Sequence, residues 1–413
     1  MILTSSFAFG QIAQSEISTE EKVYGISKVW SEVNSNFANF DVSKVDWDGT
    51  YKNYITRILE TKTTEEYYFE LIKMVALLKD GHTNVYYPFK NQGRIPLRTK
   101  LIENKVIITS IFNDSLRNLN IEVGDQIIEI NKINAVDYGR TNIMPFQSSS
   151  TIQDLNIRTY TYALFYGNAD EKVELKIKKK NNLVFTTTLS RGLTYNRKYI
   201  TYDLQITKDN IAYLKVNDFE NSHYKEIFDS LYVQIQPTKA LIIDMRENGG
   251  GNGDQGFYIL SHLIAKSTLA AKSKTKQNIA SFKAWGNTDM WLETDPYSIE
   301  PIYGKERYMK PVIVLTGAQT FSAGEDFLVA FDNSNRGIKI GQTTGGSTGQ
   351  PLFFDLPRGG KFRVCTKRDI YPSGKEFVGI GIIPEIEVKE TVKSIQDKQD
   401  IVLEKAIEVI NKK

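Results

Sequence analysis

Three patterns of apolar and polar positions follow one another along the chain. From Thr19 to Leu78 apolar residues recur at helical spacing, which predicts a small domain of amphipathic helices. From about Ile95 to Arg191 the period shortens to that of brief strands, and beyond Arg191 buried strands alternate with helices. We therefore predict an α/β protein with a helical N-terminal domain (15–94), an inserted β module (95–191) and a mixed α/β core of sheet flanked by helices (192–413).

The β module carries two local signals. VELKIKKKNNLVFTTTLS predicts a hairpin that turns at Asn181 and Asn182. VGDQIIEINKI, Val123 to Ile133, resembles the signature of PDZ domains, in which Gly and Asp precede a buried strand. The resemblance implies a PDZ-like module, with its helix between Ser148 and Tyr166, that binds a peptide by strand addition. A GD pair also precedes strands in other small barrels.

A glycine-rich turn follows a predicted buried strand of the core. ALIIDMR, Ala240 to Arg246, is followed by ENGGGNGDQ and then by a helical pattern. The turn matches neither the phosphate-loop nor the dinucleotide consensus, because it lacks Gly-Lys-Ser/Thr and the spaced GxGxxG. The remaining use of such glycines is close backbone approach with free N–H groups, as in an oxyanion hole.

A serine stands at a predicted junction of strand and helix. PVIVLTGAQTFSAGED, Pro311 to Asp326, begins as a buried strand and restarts as a helix directly after Ser322. Such a corner exposes a side chain beside free N–H groups, which suits a nucleophile. The alternative is that Ser322 only caps the helix.

Composition narrows the class of protein. The 413 residues carry a net charge of +3, and no long basic block is interleaved with aromatic residues, so nucleic acid is not an expected partner. The single cysteine, Cys365, excludes an internal disulfide and a multi-cysteine metal site. No apolar run is long enough to span a bilayer. We expect no metal and no cofactor.

The first fourteen residues, MILTSSFAFGQIAQ, are small and apolar but contain no Lys or Arg. They match part of an export leader and predict a periplasmic or cell-envelope location. A disordered soluble extension is the alternative.

The chain has three histidines, and they differ in setting. His223 lies in a polar stretch and His262 on an apolar helical pattern, which favours structural or solvent-facing roles. His82 follows Asp80 and Gly81 on a predicted turn between a helix and a strand, where functional residues gather. A satisfied surface histidine is the alternative.

Four ordered motifs, DMRENGGG, TFSAGED, GQTTGGSTG and GIGIIPEIEV, resemble those of the C-terminal processing (tail-specific) serine proteases. The resemblance runs from about Trp30 to the end. It implies a serine endopeptidase acting on peptides or unfolded proteins, with cleavage near C-termini as one expectation. Ser322 matches the nucleophile, and the oxyanion donors would be the N–H groups of Gly250, with Gly249 next in line, and Ala323.

Many members of this family use a lysine base twenty-five residues after the serine, but that position is Ser347 here. A second branch, which includes the tricorn protease core and retinoid-binding-protein-like members, takes its base from a histidine before the PDZ module. His82 stands in that order. In this branch a late glutamate orients the base, for which Glu376 is the first candidate and Asp369 the second.

A histidine base implies activity that rises at roughly pH 6 to 7. Two other classes of protein have the same predicted fold. One is a catalytically inactive peptide-binding scaffold, and the other is a lipid- or retinoid-binding relative.

Overall fold

A computed structural model describes residues 16–287 and 290–412. The leader predicted for residues 1–14 lies outside the described residues. Within the described part of the chain, no helix is both long and apolar enough to cross a membrane.

The α-helices, in chain order, are α1 (Thr19–Asn36), α2 (Phe40–Ser43), α3 (Trp47–Glu60), α4 (Thr64–Ala76), α5 (Ser115–Asn118), α6 (Ala135–Tyr138), α7 (Ile152–Asn156), α8 (Tyr224–Ile235), α9 (Gly253–Ser261), α10 (Ala280–Ala284), α11 (Ala323–Ser334), α12 (Val392–Gln396) and α13 (Ile401–Asn411). Segments Gly139–Ile143 and Ile157–Ala163 are π-helical, and Met144–Phe146 and Pro357–Gly359 are 3₁₀ turns.

The strands are β1 (Asn84–Tyr86), β2 (Gln92–Arg94), β3 (Leu97–Ile102), β4 (Lys105–Ile111), β5 (Gln126–Ile130), β6 (Ile133–Asn134), β7 (Tyr166–Asn168), β8 (Lys172–Lys178), β9 (Val184–Ser190), β10 (Tyr202–Ile206), β11 (Ile211–Val216), β12 (Ala240–Asp244), β13 (Thr268–Leu269), β14 (Lys272–Gln277), β15 (Met290–Glu293), β16 (Ser298–Ile299), β17 (Val312–Thr316), β18 (Ile338–Gly341), β19 (Pro351–Asp355), β20 (Lys361–Cys365), β21 (Lys367–Ile370) and β22 (Ile386–Glu387).

The predicted helical N-terminal region is confirmed as α1 to α4. Capping boxes begin two of its helices: Ser18 pairs with Glu21 at α1, and Thr63 pairs with Glu66 at α4. The apolar stripes of α1, α3 and α4 pack into one buried cluster. The helices therefore form because each has both a start signal and a face to bury.

The β module is an antiparallel sheet in the order β3-β4-β5-β8-β9, with β6 beside β5. The predicted hairpin is present as β8 and β9, which pair from Lys172 with Ser190 to Lys178 with Val184. The predicted helical segment is α7, which continues into the π-helical turn Ile157–Ala163. The PDZ-like identity of the module stays a prediction.

The core is a six-stranded sheet in the order β10-β11-β12-β17-β18-β22, parallel except for β10. Alternation along β12 divides its side chains between two layers. Leu241 and Ile243 pack in the cluster that contains α8, α9 and α11, whereas Ile242 packs with α13 on the other face. The predicted mixed α/β core of sheet flanked by helices is confirmed.

One segment departs from expectation. The apolar pattern of the stretch from Phe362 to Val388 predicts strands that close the core sheet. The end of this stretch, β22, does pair with β18, but β20 pairs with β1 and β19. Phe362 and Val364 are buried in the helical cluster, so the apolar face of this hairpin completes the N-terminal domain. The pairing of β1 with β20 fixes the position of the turn that precedes β1, Asp80 to Thr83.

Candidate active site

Ser322 lies at the corner between β17 and α11, as the sequence predicts. It precedes the first helical residue, and its backbone has φ 55° and ψ −127°. Positive φ is unfavourable for a residue with a Cβ atom and costs of order 1–3 kcal/mol. The Ser322 side chain makes no capping hydrogen bond, so the hydroxyl is not occupied by the helix end. The interpretation of Ser322 as only a helix cap therefore does not hold.

The strained backbone predicts a measurable stability difference between two variants. Ser322→Gly should be more stable to urea than Ser322→Ala by about 1 kcal/mol, because relief of the positive φ exceeds the extra backbone entropy of glycine, about 0.5–1 kcal/mol. Both variants lack the hydroxyl, so Ser322→Ala is the matched control. A glycine variant no more stable than the alanine variant would show that this backbone is unstrained.

The turn that carries His82 is held by its own carboxylate. Oδ1 of the buried Asp80 accepts the His82 N–H at 3.0 Å and the Thr83 hydroxyl at 2.9 Å. The next residue, Asn84, begins β1, which pairs with β20. Asp80 thus holds the turn at its start and the pairing of β1 with β20 holds it at its end, and the imidazole lies toward Ser322.

The structure brings His82 and Ser322 together across 240 positions of sequence. Nε2 of His82 lies 3.0 Å from Oγ of Ser322. The imidazole is 5% exposed, and it stacks on the ring of Phe321, with centroids 4.9 Å apart and planes 12° apart. This is the hydrogen-bonding distance that a nucleophile and its base would require.

The surroundings of His82 favour its neutral form. Burial lowers its pKa well below the ordinary range, and the positive charges of Arg363, Arg158 and Lys367 lower it further. The sequence predicts activity that rises at roughly pH 6 to 7, and the lowered pKa of His82 places this rise at a lower pH. A neutral imidazole can accept a proton, so the environment favours the state that a base requires.

Ser347 contacts the other ring nitrogen. Its Oγ lies 2.9 Å from Nδ1 of His82, and its backbone N–H donates to Oε2 of Glu325 at 2.9 Å. The sequence motifs predicted neither Ser347 nor Glu325 as a site residue. The spacing of Ser347 from Ser322 could have identified Ser347, since it stands where the resemblance places a lysine base.

The expected orienting acids are elsewhere, and the assignment of Glu376 is wrong. Its carboxylate pairs with Lys274 and lies 3.7 Å from Nε of Arg368. Asp369 accepts from Ser273 Oγ at 2.6 Å and from Lys367 Nζ at 2.9 Å. Pairing of β21 with β14 brings these cations and this hydroxyl to the two acids, so neither acid orients the imidazole.

The glycine turn lies against the nucleophile. A Cβ added to Gly250, whose φ is 99°, would lie 2.7 Å from Cβ of Ser322 and 3.0 Å from the Ala323 nitrogen. The Gly250 N–H, however, donates to Oδ1 of the buried Asn248 at 2.9 Å. Among the described residues, the N–H groups of Gly249 and Ala323 have no protein acceptor. These two N–H groups are therefore free of protein acceptors, whereas the Gly250 N–H is engaged by Asn248.

Two other residues of the same motif hold the turn in place. Arg246 bonds to the carboxylate of Asp244 on β12 and, with both ends of its guanidinium, to Asp400, the N-cap of α13. The Asp-x-Arg-x-Asn pattern therefore anchors the glycines to the sheet and to the C-terminal helix.

The β module contacts three segments of the site. Ser150 Oγ accepts the Gly81 N–H at 3.1 Å, and the guanidinium of Arg158 lies 5.1 Å from the centre of the Phe321 ring. Thr151 Oγ1 donates to the Gly345 carbonyl at 2.7 Å. The module therefore helps to hold the His82 turn, the nucleophile corner and the Ser347 loop.

Comparison with known proteins gives two family matches. Residues 210–388 match peptidase family S41, and residues 26–76 match the tricorn protease C1 domain. The chain is 21% identical over 401 residues to a carboxyl-terminal-processing protease of Picosynechococcus sp., covering 93% of this chain and 87% of the relative. It is also 21% identical over 380 residues to one from Synechocystis sp., covering 89% and 81%.

Solved structures share the fold. Mature CPAF superposes with a TM-score of 0.76 at 15% identity, covering 95% of this chain and 98% of the other. The photosystem II D1 C-terminal processing protease gives 0.54 at 18% identity, covering 90% and 94%. Together, the family matches and the relatives show a serine-type peptidase in which residues 210–388 match peptidase family S41.

Proposed function

We propose that this peptidase is an endopeptidase in which Ser322 is the nucleophile and His82 the general base. The observation that carries the proposal is the 3.0 Å contact between Ser322 Oγ and Nε2 of a buried imidazole whose environment favours the neutral form. No lysine lies between Lys339 and Lys361, so the chain offers no lysine at the position used by dyad enzymes.

The reaction follows from this geometry. Ser322 Oγ attacks the peptide carbonyl carbon while its proton passes to His82 Nε2. The imidazolium then gives that proton to the leaving amine, the C–N bond breaks, and an acyl-serine remains. Water, deprotonated by the same nitrogen, releases the acid and restores the hydroxyl.

The negative oxygen formed in each step needs donors already in place. The N–H of Ala323 belongs to the first turn of α11, where the helix dipole also favours negative charge. We assign the second donor to Gly249, whose N–H has no protein acceptor among the described residues. One such donor contributes about 3–4 kcal/mol to the stability of the transition state.

The substrate is a peptide or an unfolded protein, and the β module is proposed to bind an extended segment by strand addition. Cleavage near C-termini is proposed from the printed names of the relatives, which are carboxyl-terminal-processing proteases. Export to the periplasm or cell envelope is proposed from the composition of residues 1–14.

Binding of a peptide to the β module is best tested by competition, in which added peptides should slow hydrolysis of a long substrate. Deletion of the module is a weaker test, because it would also remove the contacts of Ser150, Thr151 and Arg158 with the site.

Covalent labelling tests the proposed nucleophile. A fluorophosphonate probe should label Ser322, with loss of fluoride as the phosphorus–oxygen bond forms, and peptide mass mapping should place the adduct on that residue. Folded protein that cleaves no peptide and never labels would favour the peptide-binding scaffold instead.

The acidic limb of activity should lie below the ordinary histidine pKa of about 6.5. Because its pKa is lowered, His82 stays neutral as the pH falls, and activity is lost only when the pH passes through that lowered value. Arg363→Gln removes the first of the three named positive charges. It should raise the His82 pKa and move the limb to higher pH, as measured by kcat/KM against pH.

The charged and titratable groups around His82 come from several elements. Asp80 lies on its own turn, Arg363 on β20, Lys367 on β21 and Arg158 in the β module. Arg117→Gln, on an exposed side chain of the β module, is the matched control and should leave the limb unchanged. A limb that does not move in Arg363→Gln would show that this charge does not act on the base.

A further inference from the structure

Ser347 uses all three of its polar groups within the site. Its hydroxyl contacts Nδ1 of His82 at 2.9 Å, its carbonyl accepts the Ser322 N–H at 3.1 Å, and its N–H donates to Glu325 at 2.9 Å. The residue is fully buried. One side chain and its backbone thus connect the base, the nucleophile and a buried carboxylate.

A histidine base requires a particular tautomer. A neutral imidazole carries one hydrogen, and it can accept the Ser322 proton only if that hydrogen is on Nδ1 and Nε2 is free. The Nδ1 hydrogen then needs an acceptor. Ser347 Oγ, at 2.9 Å, is the atom placed to accept it. If Ser347 donated instead, Nε2 would carry the hydrogen and could not act as a base.

Glu325 fixes the position of Ser347. The Glu325 carboxyl group is fully buried on the first turn of α11, three residues after Ser322, and burial raises its pKa to about 8. Besides the Ser347 N–H, it accepts the Gly346 N–H at 2.8 Å and the hydroxyl of Thr344. Glu325 therefore attaches the loop 344–347 to α11, the helix that begins directly after Ser322. The groups that contact Nε2 and Nδ1, the hydroxyls of Ser322 and Ser347, are thus held by the same helix.

We propose that Ser347 is a positioning residue for peptide hydrolysis, accepting the Nδ1 hydrogen of His82 so that Nε2 faces Ser322 unprotonated, while Glu325 holds Ser347 through its backbone. The proposal rests on the proposed roles of Ser322 and His82. No proton passes to Ser347: the Nδ1 hydrogen stays on Nδ1 while the proton from Ser322 joins and leaves Nε2. A hydroxyl from one loop thus takes the place that the resemblance assigns to an acid.

A neutral acceptor orients the ring but brings no negative charge to the imidazolium. Removal of the Ser347 hydroxyl should therefore lower kcat less than removal of a buried aspartate in the same place would. In that case the wrong tautomer lowers kcat by roughly 10⁴-fold. Ser347→Ala should lower kcat by roughly 10- to 100-fold, the size of one hydrogen bond and part of the ring orientation. KM should change by less than about twofold, because no substrate contact is lost.

Thr348→Ala is the matched control. Thr348 is the next residue on the same loop and is also buried, but its hydroxyl accepts from the Asp369 N–H and does not contact the imidazole. Its kcat should stay within about threefold of the wild type. Equal losses in the two variants would assign the effect to loop packing and would overturn the role of Ser347.

Nitrogen-15 NMR of the imidazoles provides a readout that does not depend on turnover. With three histidines in the chain, His82 can be assigned by comparison with His82→Ala. The wild-type protein should show the Nδ1–H tautomer, and Ser347→Ala should shift the population toward Nε2–H. Because the first measurement uses the wild type, it stands even if the variant does not fold.

The two readouts separate this proposal from the proposed function. Nε2–H in the wild type, with activity that still requires Ser322 and His82, would overturn the role of Ser347 and leave the nucleophile and base in place. Nδ1–H that shifts in Ser347→Ala, in a protein whose hydrolysis does not need Ser322, would support the positioning contact while the proposed function fails.

Discussion

Ser322→Ala should abolish peptide hydrolysis, with a loss of roughly 10⁴-fold or more in kcat, and should also abolish labelling by the fluorophosphonate probe. The hydroxyl oxygen is the only heavy atom removed, and it makes no capping bond in α11. The amides around the site and the fold therefore remain. Hydrolysis is measured with an internally quenched peptide, and folding by thermal unfolding.

Ser334→Ala is the matched control for this change. Ser334 ends the same helix, and among the residues that the structure describes its hydroxyl bonds only to the Phe331 carbonyl, at 2.7 Å. It should hydrolyse and label as the wild type does. Residual activity in Ser322→Ala above about one hundredth of the wild type would remove Ser322 from the role of nucleophile.

His82→Ala should lower kcat about as much as Ser322→Ala, because the serine hydroxyl is a weak nucleophile without a base at 3.0 Å. Residues that act as one unit are not additive, so the double variant should be no slower than either single variant. The measurement is single-turnover hydrolysis, which isolates the acylation step.

His223→Ala controls for the loss of a histidine. His223 is exposed, precedes α8 and makes no side-chain capping bond. Its kcat should be unchanged. Near-normal turnover in His82→Ala would place the base elsewhere, even if Ser322 still labels.

Local patterns were sufficient for the elements. The apolar stripes of α1, α3 and α4 predicted the helical region, since residues three and four positions apart share one face of a helix. The same holds for the hairpin of β8 and β9 and for the corner at Ser322. In each case the information lies within about twenty consecutive residues.

Local sequence patterns could not predict which side chains and strands that are distant in the sequence come into contact in the fold. Glu376 follows the expected order of motifs, yet its carboxylate meets Lys274, because β14 pairs with β21. Likewise β20 pairs with β1 outside the core sheet, because its apolar face completes the helical cluster. The sequence near these segments does not show that β20 will pair with β1 or β21 with β14.

Short-range spacing was enough to predict the class of fold, the serine corner, the glycine turn and the histidine turn. The groups that surround the imidazole, in contrast, are brought together by tertiary contacts. Ser347 lies 265 positions from His82, and the contact between them exists because Glu325 attaches the loop of Ser347 to the nucleophile helix while β20 holds the turn of His82. Long-range strand pairing and one buried carboxylate set that geometry, and neither has a signal in local sequence.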